Sequence, residues 1–159
     1  KVNMGEPILE PAKIPTTLPS HLKQKIQAND TEYEVTAVSM GNPHSVIFTD
    51  EVDKLDLEKI GPALENHPVF PERVNTEFVQ VLGPHEVRMR VWERGSGETW
   101  ACGTGACATV VACVLNGKTE RDVTVHLRGG DLTIFWNEKT GEVEMTGPAQ
   151  FVFDGTVEI

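Results

Sequence analysis

Alternation of hydrophobic and polar positions dominates this chain and predicts a domain rich in β-strands. The segments that alternate or run apolar over strand-like lengths are 33–40, 45–48, 76–82, 86–93, 122–127, 132–136 and 143–145. Glycine-containing turns at 129–131 and 137–141 separate the last three of them and predict two consecutive hairpins.

Two segments instead show helical features. Residues 105–115 (GACATVVACVL) carry no charge on any side, which is typical of a buried helix. Residues 53–66 place leucine and isoleucine at helical spacing and predict a surface helix. The polar, proline-rich segment 11–29 has weak periodicity, and we predict it to be mainly irregular.

Strand residues outnumber helical ones, and the uncharged helix requires apolar cover on all sides. These requirements predict an α+β fold in which a mixed, mainly antiparallel sheet curls around a central buried helix. A chain of 159 residues is long enough for one such core.

Charge and cysteine usage narrow the function. The formal net charge of −10 argues against nucleic acid or an anionic membrane as a partner, and no apolar run is long enough to span a bilayer. Three cysteines, an odd number, favour a reducing compartment, so we expect a cytoplasmic protein. The first residues read as a strand already in progress, which suggests that the chain begins partway through a longer protein.

Three apparent binding motifs are rejected. Residues 103–108 fit the dinucleotide fingerprint, but a polar loop at 94–100 stands where the fingerprint needs a buried strand. Residues 112–119 resemble a phosphate loop but follow a helix instead of preceding one. A zinc site is excluded because Cys102 and Cys113 would lie about 16 Å apart along the helix, with Cys107 on another face. We therefore expect neither cofactor nor metal.

Cys102 stands directly before the uncharged helix and is the leading candidate for chemistry. The free amides and positive dipole end of a first helical turn favour negative charge. We therefore expect the thiol to be shifted toward thiolate and a substrate carboxylate to bind beside it. This arrangement suits an enzyme that removes a proton from a weakly acidic carbon.

The motifs that carry this chemistry resemble those of diaminopimelate epimerases, the cofactor-independent isomerases of lysine and cell-wall precursor synthesis. The similar segments are 2–7 (VNMGEP), 38–44 (VSMGNPH), 74–79 (VNTEFV), 92–108 (WERGSGETWACGTGACA) and 145–149 (MTGPA). They span the chain in the order that the family has.

The resemblance implies a pair of cysteines, one from each of two similar domains, that act on opposite faces of diaminopimelate. Cys102 matches the cysteine of the second domain and would be catalytic. The positions that match substrate-binding residues are Asn42, His44, Asn75, Glu93, Arg94, Gly103 and Thr104. The resemblance implies that the backbone amides of Gly103 and Thr104 bind the carboxylate of the reacting centre and that Arg94 binds the distal carboxylate. Glu93 and His44 would lie near an amino group. Asn42 and Asn75 would form hydrogen bonds to the distal end of the substrate. Taken singly, each has a structural alternative: Glu93-Arg94 a solvated strand end, Asn42 a turn, Asn75 a strand entry and His44 a core histidine.

One part of the family pattern is absent. The first catalytic cysteine has no counterpart, and Cys107 and Cys113 share a helix with Cys102, so they cannot reach the opposite face of a substrate. We therefore predict that residues 1–148 form the second epimerase domain and that the chain is inactive without an N-terminal half. The tail 149–159 would belong to the sheet of that missing domain and would otherwise be disordered, fold back or pair with another copy in a homodimer.

Other functions remain open. A proline or hydroxyproline racemase would keep the cysteine but would not need the residues that read a distal amino-acid group. A phenazine-type isomerase would not need the cysteine. A non-catalytic binding or assembly module would need neither, although intact Cys102 and Glu93-Arg94 argue against it.

Overall fold

The computed structural model describes residues 1–158 and contains one continuous sheet with two α-helices. The strands are β1 (Val2–Asn3), β2 (Gln24–Ala28), β3 (Thr31–Ser39), β4 (Pro43–Phe48), β5 (Asn75–Gly83), β6 (Glu86–Glu93), β7 (Gly97–Thr99), β8 (Asp122–Leu127), β9 (Gly130–Trp136) and β10 (Val143–Thr146). The helices are α1 (Leu57–Glu65) and α2 (Gly103–Leu115), and short 3₁₀ turns occur at Pro11–Lys13 and Val52–Lys54.

The sheet is mixed and mainly antiparallel, as predicted. Its order is β1-β10-β9-β8-β6-β5-β4-β3-β2, with β7 added beside β6. The β4–β5 and β6–β8 pairs are parallel and the other pairs are antiparallel. Helix α2 contacts strands from both halves of this order, from β3 to β10, so the sheet curls around it. The predicted α+β fold class is confirmed.

The central helix is buried because it offers no polar face. Every residue from Gly105 to Cys113 is buried, and the surrounding strands contribute valines and Met89 to the same core. The helix begins two residues earlier than the uncharged run predicted, with Cys102 as its N-cap residue. No side chain caps it there, so the sequence carries no capping signal that would have marked the first turn.

The opposite face of the sheet packs against α1 and forms a second core. Period-two alternation divides the strands between the two cores: Phe78 and Trp92 face α1, whereas Val79 and Val91 face α2. Gly61 allows this contact, since a Cβ there would lie 2.3 Å from the indole of Trp92. The predicted surface helix 53–66 is thus observed as a 3₁₀ turn followed by α1.

Two segments predicted to be irregular contain short strands. Residues 24–28, inside the segment predicted to be irregular, form β2, which pairs with β3 through a turn at Asn29 and Asp30. Both turn residues have positive φ (49° and 59°), the geometry that asparagine and aspartate tolerate best after glycine. Residues 97–99, inside the predicted polar loop, form β7 against β6 because Gly95 and Gly97 permit a tight reversal at positive φ.

The tail forms no regular structure over residues 147–158. Four of its apolar side chains are strongly exposed: Phe151, Val152, Phe153 and Val157 are 77–83% accessible. Its pairing with a first domain stays a prediction, and the last tail residue, Ile159, lies outside the described residues. Between residues 1 and 158 no helix combines the length and hydrophobicity needed to cross a bilayer.

His126 on β8 gives the fold a pH-dependent contribution to stability. Its Nδ1 lies 2.8 Å from an Asp131 carboxylate oxygen and its Nε2 lies 2.7 Å from one of Glu86. Hydrogen bonds to Asp131 and Glu86 raise the pKa of His126. Because this pKa is higher in the folded protein than in the unfolded chain, the stabilisation is complete below about pH 6 and is lost as pH rises through the folded pKa.

We therefore expect His126→Gln to lower the free energy of unfolding by about 1 kcal/mol at about pH 6 and by less at about pH 9. Urea unfolding at a series of pH values measures the difference. His85→Gln is the control, because the ring of His85 bonds a backbone carbonyl and not a carboxylate pair. A destabilisation that grows with pH would contradict this assignment.

Candidate active site

The candidate site lies where the N-terminus of α2 meets the ends of three neighbouring strands in the middle of the sheet. Strands β4 and β5 are parallel and begin at this end of the sheet, and the antiparallel β6 ends there. The polar residues His44, Asn75 and Glu93 lie at these three strand ends. By period-two alternation they share the sheet face that packs against α2, so the fold brings them to the first turn of that helix.

Cys102 is the N-cap residue of α2, and its side chain lies at the centre of the site. The residue is 8% exposed and its thiol is free. The Thr104 hydroxyl lies 3.6 Å from the sulfur. The amides of Gly103 and Thr104 belong to the first turn, where no acceptor exists within the helix, and remain suited to bind an anion.

The predicted shift of Cys102 toward thiolate was wrong for this chain. Burial, followed by the charge of the Glu77 carboxylate, raises the pKa of the Cys102 thiol to about 12. Hydrogen bonds from Thr104 and Gly105 act in the opposite direction but do not outweigh burial. Sequence spacing revealed the favourable helix terminus, whereas burial and the nearby carboxylate arise only from the tertiary fold.

A row of hydrogen bonds links Glu77 to Cys102. The Nδ1 of His44 lies 2.6 Å from Glu77 Oε1, and the His44 Nε2 lies 3.0 Å from Asn42 Oδ1. The Asn42 amide then donates to Thr104 Oγ1 at 3.3 Å, and Thr104 reaches the sulfur of Cys102. Four of the predicted site residues are therefore joined in one network, together with a carboxylate that sequence reasoning missed.

His44 lies inside this network, and its predicted position near a substrate amino group stays a prediction. Its ring is completely buried, and both ring nitrogens contact protein groups. His44 therefore orients Asn42 through this hydrogen bond. Glu77 could have been suspected from the sequence, because it is a lone charge inside the apolar run of β5.

A second set of contacts holds the Glu93–Arg94 turn. The side-chain oxygen of Asn75 accepts from the Arg94 amide at 2.8 Å, while its amide donates to the Pro43 carbonyl at 3.0 Å. Glu93 accepts from the Thr99 hydroxyl on the adjacent β7. The Arg94 guanidinium donates to the Glu72 carbonyl at 2.9 Å. These residues line the same end of the sheet as Cys102, and their contact with a substrate stays a prediction.

Glu65 anchors this turn from the other side of the sheet. Its buried carboxylate accepts from the Trp92 indole at 2.7 Å, the Gly95 amide at 2.9 Å and Arg73 at 3.0 Å. The turn that carries Arg94 is thus tied to α1. Sequence reasoning missed Glu65, because a glutamate near the end of a surface helix carries no signal of burial.

Comparison with protein families supports the resemblance found in the sequence. A sequence model of the family described as diaminopimelate epimerase matches residues 36–152. The chain is 54% identical to a diaminopimelate epimerase from Agathobacter rectalis, over 100% of this chain and 59% of that protein. It is 57% identical to one from Phocaeicola vulgatus, over 99% of this chain and 57% of that protein. The chain thus spans well under two thirds of the length of these relatives.

Solved structures with low sequence identity share the fold. A hydroxyproline epimerase from Agrobacterium vitis, with trans-4-hydroxy-L-proline bound, superposes with a TM-score of 0.59 at 14% identity, over 84% of this chain and 43% of that one. A phenazine biosynthesis protein from Bacillus anthracis gives 0.51 at 24% identity, over 77% and 40% of the two chains. In both cases the similarity shows the fold alone.

Proposed function

This chain belongs to the diaminopimelate epimerase family, and from this membership we propose that it forms one half of a two-cysteine epimerase that interconverts LL- and meso-diaminopimelate. The observation that carries the proposal is the free thiol of Cys102 at the first turn of a buried helix, within the network of matched polar residues. The second half, with the opposing cysteine, would come from an N-terminal domain, to whose sheet the tail 149–159 would contribute.

In the proposed reaction the first turn of α2 binds the carboxylate of the reacting centre. The amides of Gly103 and Thr104 donate to its oxygens, which holds Cα beside the sulfur of Cys102. Negative charge moves onto this carboxylate as the Cα–H bond breaks, and the same amides stabilise it. No pyridoxal group is needed for this step, because fixed donors replace the electron sink.

Inversion follows from proton transfer on opposite faces. The opposing thiolate takes the Cα proton, so an S–H bond forms while the C–H bond breaks and its electron pair moves into the carboxylate. Cys102 then donates its proton to the other face of Cα, and its sulfur becomes thiolate. The raised pKa of Cys102 supports the protonated form as the resting state of this half.

The distal end of diaminopimelate would be read by Asn42, Asn75 and the Glu93–Arg94 turn. A guanidinium suits two-point binding of a carboxylate, and the Glu93 carboxylate suits an ammonium group. Proline has no distal amino-acid group, so these residues favour diaminopimelate over proline as the substrate.

Deuterium incorporation at Cα tests the proposal. The chain is mixed with the part of the Phocaeicola vulgatus relative that it does not cover, and diaminopimelate or proline is incubated in D₂O and followed by mass spectrometry. We expect exchange of diaminopimelate by the mixture, at least about 100-fold slower exchange by the chain alone, and none of proline. Equal exchange by the chain alone would refute the half-site mechanism, and preference for proline would refute the substrate.

A further inference from the structure

Glu77 is a buried carboxylate to which the proposed reaction gives no role. Its side chain is 0% exposed, and Oε1 lies 2.6 Å from His44 Nδ1. The other oxygen, Oε2, accepts no hydrogen bond from any residue between 1 and 158. Burying a carboxylate with incomplete hydrogen bonding costs several kcal/mol, so stability alone does not explain a glutamate here.

One assignment of donors runs in a single direction from His44 to Cys102. In it both ring nitrogens of His44 carry a proton: Nδ1–H donates to the Glu77 carboxylate and Nε2–H donates to Asn42 Oδ1, so the Asn42 amide group is free to donate to Thr104 Oγ1. The Thr104 oxygen then accepts from Asn42, which leaves its own proton free to donate to the sulfur 3.6 Å away. Hydrogen bonds in such a row polarise one another, and a negative charge at the His44 end reinforces that direction.

We propose that Glu77 is a positioning residue of this site: its carboxylate fixes the His44 ring, which through Asn42 directs the Thr104 hydroxyl at the sulfur of Cys102. The inference rests on the function proposed above for Cys102. It adds to the matched positions a residue that touches no substrate and acts through three others.

Glu77 also acts on the thiol through its charge. A Cβ at Gly105 would lie 2.7 Å from Glu77 Oε1 and 3.1 Å from the Cys102 sulfur, so carboxylate and thiol are neighbours across this glycine. The charged or titratable groups that act on Cys102 or Glu77 are Glu77, Glu93 and His44, and Cys102 in turn acts on Cys107. Among these charges, that of Glu77 contributes most to raising the pKa of Cys102.

Alkylation of Cys102 by iodoacetamide, measured on this chain alone, separates the effect of the Glu77 charge from the effect of positioning the Thr104 hydroxyl. The rate is measured against pH, with peptide mass spectrometry distinguishing Cys102 from the other two thiols. Glu77→Gln removes the charge, and we expect about tenfold faster alkylation at a pH below the midpoint. Glu86→Gln is the matched control, because it neutralises another Glu–His pair at the opposite end of β6 and should leave the rate unchanged.

A double-mutant cycle with Thr104→Val tests the positioning role. In the wild-type background we expect Thr104→Val to slow alkylation about fivefold, because the thiolate loses one hydrogen bond to its sulfur. In the Glu77→Gln background the same change should have little effect, because the hydroxyl is no longer directed. An equal effect of Thr104→Val in both backgrounds would overturn the proposal.

Glu77→Asp keeps the assay decisive if the glutamine variant does not fold. It retains the charge but withdraws the carboxylate from His44 by one methylene, so alkylation should become slower, not faster. A rate equal to wild type, with an undiminished effect of Thr104→Val, would overturn the proposal. Since alkylation needs no substrate, these results do not depend on whether the chain acts on diaminopimelate, which the deuterium experiment decides.

Discussion

Deuterium incorporation into diaminopimelate should fall by about 100- to 10,000-fold when Cys102 is replaced with serine in the two-part enzyme. An alcohol is a much weaker acid than a thiol. At neutral pH the serine hydroxyl can therefore neither donate a proton to Cα nor ionise to act as the base in the reverse reaction. The substitution is nearly isosteric and keeps the N-cap position, so we expect the binding of diaminopimelate to change little. Mass-spectrometric exchange and calorimetric titration measure the two quantities separately.

Cys113→Ala is the control for this substitution. Cys113 lies on the same helix, is fully buried and has no role in the proposed reaction. Its exchange rate should stay within about twofold of wild type after correction for the folded fraction, since the effect of this variant is a small cavity. Exchange by the serine variant at the rate of this control would exclude Cys102 as a proton donor.

Glu65→Ala should lower the free energy of unfolding by about 3–5 kcal/mol. Glu65 is 6% exposed, and its carboxylate accepts from Trp92, Gly95 and Arg73. Alanine would leave the Trp92 indole N–H buried without its acceptor and would detach the turn that carries Arg94 from α1. Urea unfolding followed by Trp fluorescence measures this loss.

Arg73→Ala provides the comparison, because it removes one donor and leaves the carboxylate with the other two. The Arg73 side chain is 52% exposed, so the loss should be at most about 1 kcal/mol. Similar losses in the two variants would mean that the ion pair, and not the buried anchor for Trp92 and Gly95, accounts for the contribution of Glu65.

Local pattern was sufficient for most of the fold. Strands β5, β6, β8 and β9 alternate between two environments, and an uncharged helix can only be buried, so the curled sheet followed from period and charge. Strand β7 escaped prediction because it is three residues long and forms only by pairing with β6. Strand β2 was not predicted, because the prolines of segment 11–29 indicated irregular structure and the turn at Asn29 and Asp30, where that segment ends, was not recognised.

The candidate site was predictable in its motifs but not in its contacts. The residues around Cys102 were recognisable because they are adjacent in the chain. The contact between His44 and Glu77 joins positions 33 residues apart and depends on the parallel register of β4 and β5. No spacing rule reveals such a pair. Burial of the Cys102 thiol, followed by the charge of Glu77, then overturned the expectation of a thiolate at Cys102.

The amino-acid order by itself determined the fold class, the buried helix and the family, because periodicity, absence of charge and sequence motifs can be recognised within short segments of the chain. The raised pKa of Cys102, the hydrogen bonds of His44 and the placement of Glu77 were decided only by tertiary structure. Their physical reason is shared: desolvation and hydrogen bonding depend on which distant groups the sheet brings together, and on how completely that packing excludes water.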